Sequence, residues 1–253
     1  MLALSLVGIL VSVLFLTSCR VVPPAALSSP ASEYVILLHG LGRTNRSMDD
    51  MASYLTALNY SVINIDYPSR SYPVDILVRD YVSAVVNEQC VNTNVQIHFV
   101  THSLGGILTR YYLKHYTNDH IGRVVMLSPP NKGSEIPDSF SDVAVFDAVM
   151  GPSASTLGTG SNSVPNGLGP VNHEVGIITG DRSTNPFYSY IIPGKDDGKV
   201  SVESAKVTGM KDFLIIHSSH TFIMNDEDVL RQTAYFLHHG MFDTTNSLAQ
   251  ASE

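Results

Sequence analysis

The chain has 253 residues, of which 44% are hydrophobic and 15% are charged, and its formal net charge is −8. This composition favours a globular chain over a disordered one, and the length suffices for one α/β domain with a substantial core. The negative charge, together with the lack of any run rich in lysine and arginine, argues against nucleic-acid binding, so we expect no nucleic-acid partner.

The N-terminal segment is predicted to be an export signal rather than part of the fold. Residues 2–16 are almost wholly apolar, which is too short for a comfortable membrane span but suits the apolar core of a signal peptide. The run ends in Leu-Thr-Ser-Cys, which resembles the bacterial lipobox, where the signal is cut before a cysteine that receives lipid. No lysine or arginine precedes the run, which departs from the usual pattern, and a plain secretory peptide or a short membrane anchor is the alternative.

The lipobox resemblance implies a membrane anchor and a location. Residues 1–18 would be the signal peptide, and Cys19 would carry the lipid that holds the chain at a membrane. Arg20, rather than an aspartate, follows the cysteine, which resembles outer-membrane-directed proteins, so we expect an exported bacterial lipoprotein of the outer membrane. Residues 19–32, rich in Pro, Ala and Ser, are predicted to be a tether. Cys90 is expected to be buried and inert, with a disulfide to Cys19 as the alternative.

The folded domain is predicted to span residues 33–243 and to alternate apolar strands with amphipathic helices. Residues 33–40 form a near-continuous apolar run closed by glycine, which is typical of a strand buried on both faces. Further strands are predicted at residues 60–66, 95–100, 123–127, 174–179, 188–192 and 213–217. Helices are predicted at residues 48–58, 74–89, 104–116 and 226–239. This alternation predicts an α/β fold with a mostly parallel central sheet and helices on both faces.

The stretch from about residue 128 to 174 breaks this alternation. It contains many prolines and glycines and shows no clean periodicity, apart from an amphipathic helix predicted at residues 140–150. Long loops in a compact domain are usually functional or disordered, so we expect an irregular cap or lid inserted into the domain. Residues 244–253 are predicted to be a polar, frayed tail.

A serine stands between the apolar strand at residues 95–100 and the helix at residues 104–116. The sequence T-H-S-L-G at residues 101–105 resembles the G-x-S-x-G nucleophile elbow of α/β-hydrolases, with threonine in place of the first glycine. Such a turn projects the serine hydroxyl from the sheet edge, where a base can reach it. The alternative is a serine that only caps the helix. Ser103 is therefore the candidate nucleophile.

The base is expected in the loop between the last strand and the last helix. His220 lies in that loop and is the best of ten histidines, while His217 competes from the end of the strand. His102 is expected to form a wall of the site or to pack in the core, because adjacent residues at a strand end point apart.

The acid must lie between the serine and the histidine in the chain order Ser, Asp/Glu, His. Asp181, Asp196 and Asp197 all follow the strand predicted at residues 174–179. Asp197 precedes a Gly-x-Val that would anchor it against the core, whereas Asp181 follows the strand directly. The Asp-Gly pair at residues 197–198 could also be a plain turn.

The segment H-G-L-G at residues 39–42 follows the first buried strand and is a candidate oxyanion loop. Its glycines let the backbone approach a substrate closely. The predicted donors are the backbone N–H groups of Leu41 and of Leu104, the residue after the candidate nucleophile. The alternative is that the segment only ends the strand.

These segments together resemble the α/β-hydrolase superfamily and, within it, bacterial lipases and esterases of the triacylglycerol-lipase type, over about residues 34–242. In that family the aspartate of an Asn/Asp-Asp-Gly-x-Val loop is the triad acid, which supports Asp197 over Asp181. The segment S-P-P-N-K-G-S at residues 128–134 is similar to the family's loop that borders the site.

The resemblance implies a serine hydrolase that cleaves carboxylic esters through an acyl-enzyme on Ser103, with His220 as base and Asp197 orienting the base. The expected substrate is a small-molecule acyl ester or a lipid. We expect no cofactor and no metal, since the H-E-x-x-H pattern of zinc proteases is absent. An acyltransferase or thioesterase with the same triad is an alternative, as is a catalytically silent surface lipoprotein that binds lipid.

Overall fold

The structure, a computed structural model, describes residues 33–92, 94–140 and 149–245. The predicted signal peptide, the tether with Cys19, most of the helix predicted at residues 140–150 and the end of the polar tail lie outside the described residues. Across the described ranges, every helix is too short or too polar to cross a membrane.

A six-stranded sheet forms the centre of the domain. Its strands are β1 Tyr34–Leu38, β2 Ser61–Ile65, β3 Ile97–His102, β4 Ile121–Leu127, β5 Val175–Gly180 and β6 Asp212–Ile216. The order across the sheet is β2-β1-β3-β4-β5-β6, and each neighbouring pair is parallel. The predicted α/β fold with a mostly parallel sheet is therefore confirmed, and the carboxyl ends of all these strands meet at one edge.

Helices cover both faces of the sheet. They are α1 Asp49–Ala57, α2 Val74–Leu77, α3 Ala84–Gln89, α4 Leu104–His115, α5 Glu135–Phe140, α6 Pro152–Ser155, α7 Val164–Leu168, α8 Pro186–Ile191, α9 Val202–Ala205 and α10 Glu227–His239. A π-helical segment, Val78–Ser83, joins α2 to α3, so the helix predicted at residues 74–89 is one continuous helical segment. Short 3₁₀ turns at Asn45–Met48 and Ile223–Asn225 precede α1 and α10.

The side chains of β1 show why the strands are apolar at every position. Ile36 and Leu38 belong to the core cluster under α2, α3 and α4, whereas Val35 and Leu37 belong to the cluster under α1 and α10. All four side chains are fully buried. Successive strand residues point to opposite faces, so a strand covered on both sides needs an apolar residue at each position.

The strand predicted at residues 188–192 is wrong, because this segment lies in helix α8. The Asn185 side chain accepts hydrogen bonds from the backbone N–H groups of Phe187 and Tyr188 and so caps the helix. Pro186 takes the first helical position, where its missing N–H leaves no bond unmade. The helix buries none of its residues, so its aromatic and aliphatic side chains lie at the surface and not in the core.

The insertion between β4 and β5 contains α5, α6 and α7 and is held to the domain by a buried arginine. Arg110, on α4, donates to the backbone oxygen of Asn131 at 2.9 Å and to that of Gly169 at 2.6 Å. Burial lowers the pKa of Arg110 to about 10, so the guanidinium keeps its charge at neutral pH. One cation on α4 therefore fixes both the beginning and the end of the insertion.

Cys90 lies directly after α3 and is buried, as predicted. Burial raises the pKa of its thiol to about 11, which leaves almost no thiolate at neutral pH. Since the thiolate is the reactive form of cysteine, this residue is a packing residue of the core.

Candidate active site

Ser103 lies on the turn between β3 and α4 and has an unusual backbone conformation. Its φ is 53° and its ψ is −117°, in a region that residues other than glycine rarely adopt. The neighbouring chain comes very close, since a Cβ atom at Gly105 would lie 2.5 Å from the backbone oxygen of Leu38. A Cβ atom at Gly40 would lie 3.2 Å from Cβ of Ser103. The predicted strand–turn–helix elbow is present, and the end of β1 packs directly against it.

Ser103, His220 and Asp197 are joined by a continuous chain of hydrogen bonds. Nε2 of His220 lies 3.1 Å from Oγ of Ser103, and Nδ1 of His220 lies 2.8 Å from Oδ2 of Asp197. At these distances His220 can take a proton from Ser103, and Asp197 can orient the ring of His220. A proton on Nδ1, donated to the carboxylate, leaves Nε2 free to accept the serine proton, which is the tautomer that base catalysis needs.

The carboxylate of Asp197 is held by the loop between α8 and α9. Its Oδ1 accepts hydrogen bonds from the backbone N–H groups of Lys199 at 3.0 Å and Val200 at 2.8 Å. Burial of the carboxyl opposes its ionisation, but the attraction and hydrogen bond of His220 and the backbone donors outweigh burial and lower the pKa of Asp197. Asp197 is thus ionised at neutral pH while only 1% exposed.

The alternative acids and the alternative base have other partners. Oδ1 of Asp181 lies 3.0 Å from Nδ1 of His217, whose side chain is 78% exposed. Asp196 accepts hydrogen bonds from the backbone of Gly198 at 2.7 Å and from the hydroxyl of Ser189 at 3.0 Å. The structure therefore gives each of these residues a place outside the serine–histidine–aspartate chain.

Leu41 and Leu104, the two predicted oxyanion donors, both lie near Ser103. Leu104 is the first residue of α4, and a backbone N–H at that position has no intrahelical acceptor. Leu41 follows Gly40, which packs against Ser103, and Leu41 and Ser103 line the same cavity. The placement suits the two predicted donors, whose oxyanion role stays a prediction.

A cavity opens onto Ser103, and the insertion supplies most of its apolar wall. The insertion residues that line it are largely apolar, namely Pro130, Ile136, Pro137, Met150, Ala154 and Leu157. Such a wall suits a hydrocarbon chain, because apolar pockets with a few polar groups are typical of small-molecule sites. The cap expected from the sequence is therefore next to the candidate nucleophile.

His102 makes a contact that its place in the sequence does not indicate. Nε2 of its buried ring lies 3.0 Å from the backbone oxygen of His220, and the two rings are 4.8 Å apart. Burial, reinforced by repulsion from His220 and Arg43, lowers the pKa of His102 well below its ordinary value. The neutral ring therefore donates from Nε2 and supports the loop that carries the candidate base. His102, expected from the sequence to form a wall of the site or to pack in the core, therefore also supports the loop of the candidate base.

Two buried neutral histidines, His39 and His102, are expected to make stability depend on pH. Burial lowers the pKa of both rings, so on acidification the unfolded chain takes up protons at a higher pH than the folded chain does. Their contribution is complete above that pH, and the free energy of unfolding falls by up to about 1.4 kcal/mol per pH unit for each ring on acidification. The free energy of unfolding, measured with urea at pH values between 7.5 and 5, should have a smaller slope against pH in His102→Gln than in the wild type. Exposed His217→Gln is the matched control, and an unchanged slope in His102→Gln would contradict the expectation.

The chain matches the model of the alpha/beta hydrolase family over residues 35–207. No curated protein matches it in sequence. Among solved structures, phospholipase PlaB from Legionella pneumophila in complex with thio-NAD has a TM-score of 0.65 at 16% identity, covering 87% of this chain and 61% of that one. A metagenomic carboxyl esterase has a TM-score of 0.64 at 20% identity, with 81% and 69% covered.

The lipase BlEst2 from Bacillus licheniformis, in its mature form, has a TM-score of 0.61 at 17% identity, with 79% of this chain and 90% of that chain covered. The match covers 48% of the propeptide form of that lipase, so the chain spans about half the length of that relative. At these identities the likeness shows a shared fold. The family model covers the elbow at Ser103 and the loop of Asp197, and it extends over more than half of the chain. The chain therefore belongs to the alpha/beta hydrolase family.

Proposed function

We propose that this hydrolase cleaves carboxylic esters through an acyl-enzyme on Ser103. The observation that carries the proposal is the hydrogen-bond chain from Ser103 through His220 to Asp197, with distances of 3.1 and 2.8 Å, at the mouth of an apolar cavity. A strained serine beside a base, with the base oriented by a buried carboxylate, is the arrangement that activates a hydroxyl for acyl transfer.

In the proposed reaction, Oγ of Ser103 attacks the ester carbonyl while Nε2 of His220 takes the serine proton. The backbone N–H groups of Leu41 and Leu104 stabilise the negative oxygen of the tetrahedral intermediate. His220 then gives its proton to the leaving alcohol, and the acyl group stays on the serine. A water molecule, deprotonated by His220, releases the acid. Asp197 holds the imidazole in position and stabilises its charged form throughout.

The proposed substrate is an acyl ester or lipid whose hydrocarbon part lies against the insertion. The apolar lining of the cavity supports this, and the similar folds of a lipase, a carboxyl esterase and a phospholipase agree with it. The lipid anchor on Cys19 and the outer-membrane location also belong to the proposal, and they rest on the lipobox resemblance.

Labelling with a fluorophosphonate probe tests the proposal directly, because such probes react with an activated serine. We expect the wild-type chain to be labelled and Ser103→Ala to lose the label, since the other hydroxyls lack the base. Ser134→Ala removes the other serine that lines the cavity and should keep the label. Equal labelling of the wild type and of Ser103→Ala would sink the proposal, and no labelling of either would favour a silent lipid-binding protein. Release of free acid, rather than transfer to an added alcohol or thiol, separates a hydrolase from an acyltransferase.

A further inference from the structure

Two positively charged side chains, Arg43 and Lys199, line the cavity that opens onto Ser103. Arg43 comes from the loop after β1, and Lys199 comes from the loop that carries the candidate acid. They reach the cavity from distant parts of the chain. Among the described residues that line this cavity, none is an aspartate or a glutamate.

Neither cation forms an ion pair with a carboxylate of the described residues. Within residues 33–92, 94–140 and 149–245, no ion pair includes Arg43 or Lys199. Arg43 donates one hydrogen bond, from Nη2 to the backbone oxygen of Thr221 at 2.8 Å. A guanidinium carries five N–H donors, so this bond leaves most of its donors and all of its charge available.

The two cations also act on each other. Partial desolvation lowers the pKa of Lys199, and repulsion from Arg43 lowers it further, against the attraction of Asp197. Desolvation likewise lowers the pKa of Arg43. The carboxylate of Asp197 is already bonded to His220 and to two backbone N–H groups, so it offers the cations little compensation. Two charges of the same sign, neither in an ion pair with a described residue, favour the entry of an anion into the cavity beside them.

We propose that the site selects acyl esters whose alcohol part carries an oxyanionic group, a phosphate or a carboxylate, close to the scissile bond. This inference rests on the proposed ester hydrolysis. With the acyl chain against the apolar wall formed by the insertion, Arg43 and Lys199 are the charged groups of the lining that remain for the alcohol part of the ester. Guanidinium and ammonium groups both form charge-assisted hydrogen bonds with oxyanions.

The test compares three soluble esters with the same acyl chain: octanoyl glycerol, octanoyl glycerol phosphate and octanoyl glycerate. We expect wild-type kcat/KM to be at least about tenfold higher for the phosphate than for the neutral ester, as one charge-assisted bond allows. Lys199→Gln should reduce this ratio about tenfold, and Lys199→Arg should restore it. Lys195→Gln, which removes an exposed lysine paired with Asp181, is the matched control and should keep the ratio. The glycerate tells whether a carboxylate suffices or a phosphate is required.

Equal or higher kcat/KM for the neutral ester, or a ratio that Lys199→Gln leaves unchanged, would overturn the inference. Calorimetric measurement of the binding of the same esters to Ser103→Ala separates a failure of the anion-site inference from a failure of the proposed function. No turnover in the wild type with preferred binding of the anionic esters would overturn ester hydrolysis and keep the anion site. Equal binding of the three esters would overturn the anion site itself.

Discussion

Replacing Ser103 by alanine is expected to lower kcat for ester hydrolysis by about 10⁶-fold, and His220→Ala is expected to lower it by a similar factor. In the proposed mechanism the hydroxyl and the imidazole, 3.1 Å apart, act as one unit, because the serine attacks only while its proton moves to Nε2. Removing either group therefore removes the covalent route as a whole. Initial rates with a p-nitrophenyl ester, measured over a wide range of enzyme concentration, give both values.

The double variant makes the test sharper than either single change. If the two groups act together, Ser103→Ala/His220→Ala should be no slower than Ser103→Ala alone, and the two losses should not multiply. His217→Ala is the control for removal of a histidine, since its ring is exposed and bonded to Asp181. Losses that multiply in the double variant would mean that His220 does not serve Ser103.

Replacing Asp197 by asparagine is expected to lower kcat by about 10⁴-fold with little change in the structure of the loop that carries it. The asparagine oxygen can keep the backbone bonds from Lys199 and Val200, so the loop stays in place. Its NH₂ group would then face Nδ1 of His220 and donate to it. This forces the imidazole proton onto Nε2, where the ring can no longer accept the proton of Ser103.

Asp181→Asn is the matched control for Asp197→Asn, because it makes the same chemical change in the rival acid. Asp181 bonds to His217 and Lys195, so its replacement should change kcat by less than about threefold, as expected for a partly exposed ion pair. Steady-state kinetics of both variants at pH 8 give the comparison. A large loss in Asp181→Asn with a small loss in Asp197→Asn would transfer the acid role to the rival.

The architecture could be predicted from the sequence because its signals are local. Strands buried on both faces need apolar residues throughout, as in β1, and this pattern is visible without any structure. The chain order of serine, aspartate and histidine also predicts which loops meet, since the carboxyl ends of parallel strands share one edge of the sheet. The roles of these residues stay predictions until the variants are measured.

The missing first glycine of the elbow has a physical explanation in the structure. A Cβ atom at Gly106 would lie 3.6 Å from Oγ1 of Thr101 and 2.9 Å from Cβ of Pro129. The threonine side chain therefore faces a glycine on α4, which provides the space that a larger residue would occupy. The two glycines at residues 105–106 keep the helix close to the strand although the first glycine of the motif is absent.

Contacts between distant residues could not be predicted from the sequence. The hydrogen bond from His102 to the backbone of His220 joins residues that are 118 positions apart, and no local pattern indicates it. The error at residues 188–192 has another cause. An Asn-Pro start signal for a helix precedes a run whose composition suits a strand, and the cap at Asn185 decides the outcome.

The buried Arg110 also bears on how this fold can change its specificity. It lies on α4, the helix that begins immediately after Ser103, and it binds the backbone at Asn131 and Gly169. The two ends of the insertion are thus bonded to the same helix that follows the candidate nucleophile. We therefore expect changes in length or sequence between these two points to leave Ser103 in place. Under the proposed function, replacing the residues between them would change the acyl group that is accepted while the serine, histidine and aspartate keep their positions.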